Sequence, residues 1–141
     1  MFAPVAVSWQ LKFPGATAAI LQGLQPSPAR QGLDWFDARG IASERAGRVD
    51  RATRAVAARI AALQQAAGVG ASQTVLVGFS QGATVALELA RARPELASIV
   101  VSYAGRLARP IRSDERVNAT IHLIHGELDT LVPAVHAKQA L

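Results

Sequence analysis

Cysteine is absent from this 141-residue sequence, which excludes disulfide bonds and metal sites built on thiolates. Charged residues are also scarce, at 18% of the chain, whereas 50% of the residues are hydrophobic, and this balance excludes an intrinsically disordered chain. No apolar run is long enough to span a bilayer, and residues 1–11 have no basic residue before Lys12, which argues against a signal peptide. We therefore expect residues 1–141 to form one cytoplasmic domain.

The net charge of +5 raises the question of a nucleic-acid partner. Arginines between residues 41 and 67 stand at positions 45, 48, 51 and 54, and a step of three residues spreads them around a helix instead of forming a stripe. Glu44 with Arg48 and Asp50 with Arg54 have the spacing of ion pairs on a helix. We predict a solvated helix face and no nucleic-acid partner.

Strand patterns alternate with helical patterns along the chain. Apolar runs typical of strands occupy residues 16–21, 73–79, 97–103 and 120–125. Helical spacing of apolar residues occupies residues 41–68, 83–92 and 134–141. The alternation predicts an α/β fold with a parallel sheet, helices on its faces and a ligand site at the carboxyl ends of the strands.

The strongest chemical signal is Gly-Phe-Ser-Gln-Gly at residues 78–82, which fits the pattern G-x-S-x-G. The pattern lies between a predicted strand and a predicted helix, as a nucleophile elbow requires. In such a turn the hydroxyl of Ser80 is exposed, and the N–H of Gln81 points toward a developing oxyanion. We predict a positive φ angle at Ser80; the alternative is an ordinary serine in a glycine-rich turn.

A second candidate is His-Gly-Glu-Leu-Asp at residues 125–129, after the last predicted strand. Asp129 follows the serine in the chain, as the triad order Ser, Asp, His requires, and its carboxylate would orient a histidine. The alternative is that Asp129 caps a turn or a helix before Pro133. We also predict that Asp129 and Ser80 lie at the same edge of the sheet, with room for one imidazole between them.

These motifs together resemble the phospholipase/carboxylesterase family of α/β-hydrolases, which includes the acyl-protein thioesterases. The resemblance rests on residues 78–82 and 125–129 and on Trp-Phe-Asp at residues 35–37, in the family's order and approximate spacing. It implies an α/β-hydrolase-type parallel sheet with helices on both faces.

The resemblance also implies roles for individual residues. Ser80 would be the nucleophile, Asp129 the triad acid and Gln81 an oxyanion donor. Trp35 and Phe36, which lie in a predicted loop, would lie near the acyl or alcohol pocket and bind substrate.

Two parts of the family pattern have no counterpart here. No His-Gly loop precedes residue 16, and no Gly-His loop bearing the catalytic base follows residue 129, so we expect a domain truncated at both ends. His125 is expected to be structural, His122 lies deeper in the strand, and His136 is expected to be a surface or packing residue.

The predicted function is hydrolysis of carboxylic esters or thioesters through an acyl-enzyme on Ser80, with small-molecule substrates and with no metal or organic cofactor. The alternative is a catalytically inactive fragment or binding remnant of the same fold that lacks the triad histidine. A dienelactone-hydrolase-like activity is a third reading, but many such enzymes use a cysteine nucleophile, which this chain lacks.

Overall fold

The computed structural model describes residues 3–28, 31–130 and 132–135. Its α-helices and β-strands follow in the order α1 (Ala3–Lys12), β1 (Gln25–Pro26), β2 (Leu33–Asp34), α2 (Ala42–Ala67), β3 (Val75–Phe79), α3 (Gln81–Ala92), β4 (Ile99–Tyr103) and β5 (Thr120–Ile124). Short 3₁₀ turns at Ala71–Gln73 and Pro94–Leu96 precede β3 and β4. None of the helices in the described ranges has the length and apolar character needed to cross a membrane.

The predicted parallel sheet is confirmed. Its three strands lie in the order β3-β4-β5, and both neighbouring pairs are parallel. The last residues of the strands, Phe79, Tyr103 and Ile124, stand side by side in the register. The segments that follow these residues therefore emerge together at the carboxyl edge of the sheet.

Helices α2 and α3 pack in layers on one face of this sheet. Val100 of β4 is buried against Leu87 and neighbouring residues of α3. A second cluster joins α3 to α2 and includes Val49, Val56 and Leu89. The buried residues of α2 recur at the helical spacing predicted from the sequence. Leu63 also has this spacing, but it is 42% exposed.

On the opposite face of the sheet, large apolar side chains remain open to solvent. Exposure there is 42% for Val75, 36% for Val77, 55% for Phe79 and 46% for Ile124. Side chains alternate between faces along a strand, so these residues share one face. Helix α1 has no buried residue.

The strand predicted at residues 16–21 is wrong: this segment has no regular secondary structure. The segment pairs with no strand, so its backbone is not held in a sheet. Its side chains are correspondingly open to solvent, and Ile20 is 53% exposed. Leu21 and Leu24 nevertheless pack against the core. The following loop, predicted to be irregular, contains the short antiparallel pair of β1 and β2.

Helix α2 confirms the prediction for residues 41–68. It ends at Gly68, which adopts a left-handed conformation with φ of 67° and donates its N–H to the carbonyl oxygens of Gln64 and Gln65. Glycine suits this cap because it has no Cβ to clash. Because α2 leads into β3 through a short connection, its first turn lies toward the carboxyl edge of the sheet.

The long connection between β4 and β5 is fixed to α3 by charged groups. Arg91 is 11% exposed and binds Glu115 of the connection, at 2.6 Å, and Glu88 of its own helix, at 3.2 Å. Glu88 also accepts a hydrogen bond from the backbone N–H of Ala108, at 2.7 Å. The expected pair of Asp50 with Arg54 is replaced by one of Asp50 with Arg109, at 2.6 Å, because the folded connection brings Arg109 to α2.

Candidate active site

The turn between β3 and α3 holds Ser80 in an unusual backbone conformation. Its φ and ψ angles are 51° and −114°, so the predicted positive φ is confirmed. Ser80 occupies the N-cap position of α3, but its hydroxyl does not make the capping hydrogen bond that serine usually makes there. Its N–H donates to the carbonyl oxygen of Tyr103, at 2.9 Å, so the turn is tied to β4. The half-buried hydroxyl is thus left available for other chemistry.

Each of the two glycines in the pattern allows a different part of the protein to pack closely against it. A Cβ at Gly78 would lie 2.6 Å from the backbone N and Cα atoms of Ala83, so only glycine lets α3 fold back onto the end of β3. A Cβ at Gly82 would lie 3.1 Å from the indole Nε1 of Trp35. Gly78 therefore permits the turn, and Gly82 makes room for the aromatic loop.

The loop that carries Trp35 is fastened to the turn by Gln81. The backbone N–H of Trp35 donates to the side-chain Oε1 of Gln81, at 2.9 Å. As the first residue of α3, Gln81 has a backbone N–H without an intrahelical acceptor. The side chain of Gln81 thus holds the loop, while its backbone N–H is available to an anion beside Ser80.

Phe36 follows Trp35 in the loop and is the more deeply buried of the two aromatic residues. It is 5% exposed and belongs to the core cluster of α2 and α3 residues. Trp35 is half-buried and packs against the same cluster. Both residues also border one shallow concavity, so their role in substrate binding stays a prediction.

The end of β4 adds a second tight turn next to Ser80, which the sequence did not reveal. Ala104 has a positive φ of 51°, and its N–H donates to the carbonyl oxygen of Ile124. A Cβ at Gly105 would lie 2.6 Å from the Cβ of Ala83, in the first turn of α3. No local motif predicts this turn, because the close approach of Gly105 to Ala83 joins residues that are far apart in the chain.

Asp129 lies in a turn after β5. One carboxylate oxygen, Oδ1, accepts a hydrogen bond from the backbone N–H of Val132, at 2.9 Å, and Oδ2 lies 3.8 Å from Nε2 of His125. The alternative reading of a turn-capping aspartate is therefore observed. The imidazole of His125 is 6% exposed and hydrogen-bonds the carbonyl oxygen of Val132, which agrees with its expected structural role.

Ser80 and Asp129 both follow strands at the carboxyl edge, as predicted. Ser80 follows β3, Asp129 comes after β5, and β4 separates the two strands. The two strands are about 10 Å apart, and the predicted room for one imidazole between Ser80 and Asp129 stays a prediction. His122 stands level with Val77, about 7 Å below the edge, and His136 lies outside the described residues.

The charge around the turn is positive. Helix α3 has no acidic residue in its first turn to offset its dipole. Asp37 is bound by Arg39, whose guanidinium hydrogen bond holds the pKa of the Asp37 carboxyl well below its usual range. The carboxylate of the Trp-Phe-Asp motif is therefore engaged with its own loop.

Two shallow concavities lie away from Ser80. One is bordered by Trp35, Phe36 and Arg48, and the other, between α2 and α3, by Asp50 and Glu88. Ser80 borders neither of them, so the candidate site is located by the strained turn. In the described ranges no three His, Asp or Glu side chains are grouped so that they could hold a metal ion.

The phospholipase/carboxylesterase family matches residues 16–141, which include both the Ser80 turn and Asp129. The chain belongs to this family. The match covers most of the chain, so the resemblance read from three motifs is confirmed.

Two relatives of this family member are esterases by name. Esterase YpfH of Escherichia coli strain K12 is 39% identical over 129 residues, which are 91% of this chain and 55% of that protein. The crystal structure of esterase PE8 superposes with a TM-score of 0.88 at 27% identity and covers 98% of this chain and 67% of that one. The chain thus spans about half the length of the curated relative it matches.

Proposed function

We propose that this chain carries the nucleophile segment of an esterase that cleaves carboxylic esters or thioesters through an acyl-enzyme on Ser80. The observation that carries the proposal is the positive φ of Ser80 at a strand-to-helix turn, with a hydroxyl that does not cap the helix. Backbone strain of this kind is retained where an exposed nucleophile is needed. The names of the two relatives support the same chemistry.

In the proposed reaction the Ser80 hydroxyl oxygen attacks the carbonyl carbon of the ester. The hydroxyl proton passes to a base, and the alcohol or thiol leaves with a proton, so that an acyl group remains on Ser80. Water then attacks the acyl group and releases the acid. Neither step requires a metal or an organic cofactor.

Gln81 is proposed to stabilise the oxyanion through its backbone N–H. This donor stands at the positive end of the α3 dipole, where negative charge is favoured. Its side chain holds the Trp35 loop, so the proposed donor and the wall of the substrate site are positioned by one residue. Trp35, whose indole lies against Gly82, is proposed to contact the substrate.

Asp129 is proposed to orient and charge-stabilise an imidazole at the carboxyl edge. Its carboxylate is already fixed by the N–H of Val132, which would preserve its orientation while an imidazole binds. Neither His122 nor His125 suits the role of base, since His122 lies within β5 and His125 is buried against Val132. Within the part of the chain that the structure describes, the proposed site therefore contains no histidine that is placed to act as the base.

The test supplies that imidazole from solution. The purified chain is incubated with p-nitrophenyl acetate at increasing imidazole concentrations, beside Ser80→Ala and the exposed-serine control Ser72→Ala. Hydrolysis is followed after subtraction of the rate with imidazole alone, and the acyl adduct is located by peptide mass spectrometry. We expect imidazole-dependent turnover and an adduct on Ser80 in the unmodified chain and in Ser72→Ala only.

Two outcomes separate this proposal from the alternative of an inactive remnant. An adduct on Ser80 without turnover would leave the nucleophile assignment intact and indicate that the deacylation machinery is missing. No adduct on Ser80 at any imidazole concentration would contradict the proposal and favour a binding remnant of the fold.

A further inference from the structure

The indole ring of Trp35 has its nitrogen edge against the first turn of α3. Its Nε1 lies 3.1 Å from the position that a Cβ at Gly82 would occupy, and the ring neighbours Cε2 and Cδ1 lie at 3.7 and 3.8 Å. These three atoms are the nearest of any residue to that position. Gly82 comes two residues after Ser80, so the nitrogen edge of Trp35 borders the turn that carries the proposed nucleophile.

The backbone around Trp35 is fixed by hydrogen bonds to two helices. The backbone N–H of Trp35 donates to Oε1 of Gln81 in α3, at 2.9 Å. Two residues further along the loop, the carbonyl oxygen of Asp37 accepts a hydrogen bond from Nε of Arg48 in α2, at 2.7 Å. The position of the indole is therefore set by bonds that leave its own N–H unused.

The indole N–H of Trp35 is a donor without an acceptor in the part of the chain that the structure describes. It is also not enclosed: the buried side-chain polar atoms without a partner in those ranges are Oγ1 of Thr53 and Oγ of Ser102. Nε1 thus reaches the surface, although the side chain of Trp35 is half-buried. A tryptophan N–H in such a position usually has an acceptor, and here a molecule bound at the turn would supply it.

A second donor stands next to the indole at the start of α3. The backbone N–H of Gln81, the first residue of the helix, has no intrahelical acceptor. A carbonyl oxygen has two lone pairs and accepts two hydrogen bonds. During attack by Ser80 this oxygen gains negative charge, and two donors stabilise that charge better than one.

We propose that the indole N–H of Trp35 donates a hydrogen bond to the carbonyl oxygen of the ester or thioester that Ser80 attacks. This inference rests on the proposed esterase function and gives Trp35 a polar role beyond contact with the substrate. The Trp-Phe-Asp motif indicated only that Trp35 binds substrate. The donor role follows from the position of Nε1 at Gly82 and from its lack of an acceptor.

The first test follows the indole proton of Trp35 by NMR in a Ser80→Ala background, where no ester is turned over. The chain has two tryptophans, so a Trp9→Phe variant assigns the two indole signals. Methyl butyrate, whose only acceptors are its ester oxygens, is titrated beside 1-chlorobutane, which has a similar apolar chain and no oxygen. We expect methyl butyrate alone to move the Trp35 proton downfield and to slow its exchange with solvent, with no change at Trp9.

The second test removes the N–H without changing the shape of the ring. In the Trp9→Phe background Trp35 is the only tryptophan, so expression with 3-benzothienylalanine puts a sulfur in place of its N–H. We expect the affinity for methyl butyrate, measured from backbone amide shifts, to fall about three- to tenfold, and that for 1-chlorobutane to stay the same.

A further pair of variants tests how the loop is held. Gln81→Ala removes the acceptor of the Trp35 backbone N–H but keeps the N–H of residue 81, and it should also weaken binding of methyl butyrate. Gln73→Ala, at an exposed position before β3, is the matched control and should not. Circular dichroism checks that every variant is folded.

An unchanged Trp35 proton at saturating methyl butyrate, or an equal loss of affinity for both ligands in the benzothienylalanine protein, would overturn the inference. If methyl butyrate does not bind at all, the inference also fails, and the acylation of Ser80 shows separately whether the esterase proposal fails with it. An adduct on Ser80 together with an unchanged Trp35 proton would leave the esterase function in place without this hydrogen bond.

Discussion

At the scale of single residues, the backbone conformation and hydrogen bonds of Ser80 say more about its role than the residue type alone. Serine at the start of a helix normally accepts a hydrogen bond from the helix backbone, but the hydroxyl of Ser80 does not cap α3 in this way. The strain at this residue is retained by the hydrogen bond of its N–H to Tyr103 and by the glycine contacts on either side.

Gly78→Ala tests how strongly the turn depends on close packing. The added methyl group would lie 2.6 Å from backbone atoms of Ala83, which cannot move without shifting α3. We expect the free energy of unfolding to fall by about 1–3 kcal/mol, as in other overpacked cores. Urea unfolding followed by circular dichroism measures the change. Gly70→Ala, where nothing lies within 4 Å of the added Cβ, is the control and should be close to neutral.

Trp35 and Phe36 show the limit of reasoning from neighbouring residues. Both are large aromatics in one loop, and the motif alone treats them alike. In the fold Phe36 is 5% exposed within the core, whereas the indole of Trp35 lies against Gly82 at the candidate site. Only the path of the loop decides which of the two faces the protein interior.

At the scale of elements, the connection between β4 and β5 is positioned by charges instead of regular structure. Arg91 joins this connection to α3 through Glu115, and Glu88 holds Ala108. The same connection carries Arg106 to the turn of Ser80. The ion-pair network thus fixes a segment whose first residues border the candidate site.

Glu115→Gln tests this network through its pH dependence. The hydrogen bond from Arg91 lowers the pKa of Glu115 to about 2, below its ordinary value of 4.5. A carboxyl with a lowered pKa stabilises the folded state above its ordinary value and loses that contribution as the pH falls toward 2. We therefore expect Glu115→Gln to be less stable than the unmodified chain at pH 7, and the difference to disappear between about pH 4.5 and pH 2.

Urea unfolding midpoints at pH 7, 4 and 2.5 measure this difference. Burial raises the pKa of Glu88, so the contribution of Glu88 has the opposite sign; because Glu88 and Glu115 both bind Arg91, the comparison measures the network that the two carboxylates form with Arg91. Asp114→Asn is the control, because Asp114 is 68% exposed and pairs with an exposed arginine. A difference for Glu115→Gln that persists unchanged at pH 2.5 would contradict the role of the ionised carboxylate.

At the scale of the whole molecule, the sheet has one face covered by α2 and α3 and one face with exposed valine, phenylalanine and isoleucine side chains. Both outer strands also have one edge free of a partner strand in the described ranges. Apolar faces and open edges are the features through which sheets associate.

The open face predicts concentration-dependent self-association of the purified chain. Replacing Val75 and Val77 together by threonine keeps the β-branched shape that strands favour but lowers the apolar area. We expect a smaller apparent mass in light scattering for this double variant at equal concentration. Leu63→Gln removes an exposed leucine from α2 and should not change the mass. A mass independent of concentration in the unmodified chain would refute the prediction.

Activity without added imidazole provides the last test. Because His125 is buried against Val132 and His122 lies below the sheet edge, we expect hydrolysis of p-nitrophenyl butyrate to be about 10⁶-fold slower than in a complete serine hydrolase. The rate should be close to that of Ser80→Ala. A rate well above that of Ser80→Ala would mean that the chain contains its own base, and His136 would be the first residue to replace.

The sequence by itself determined the order of the elements from α2 to β5 and the position of the turn at Ser80. The helical period of residues 41–68 and the strand-to-helix change around Ser80 are local patterns, and local backbone preferences suffice to place them. The family resemblance followed from the same short segments. These features do not depend on which distant residues come together.

Only the tertiary structure decided the remaining features, because they depend on contacts between residues far apart in the chain. Residues 16–21 have the composition of a strand but pair with none, and a strand exists only with its partner. Asp50 binds Arg109 across 59 positions instead of its helical neighbour. The backbone N–H of Arg106 donates to the hydroxyl of Thr84 across 22 positions, because the turn after β4 packs against the first turn of α3.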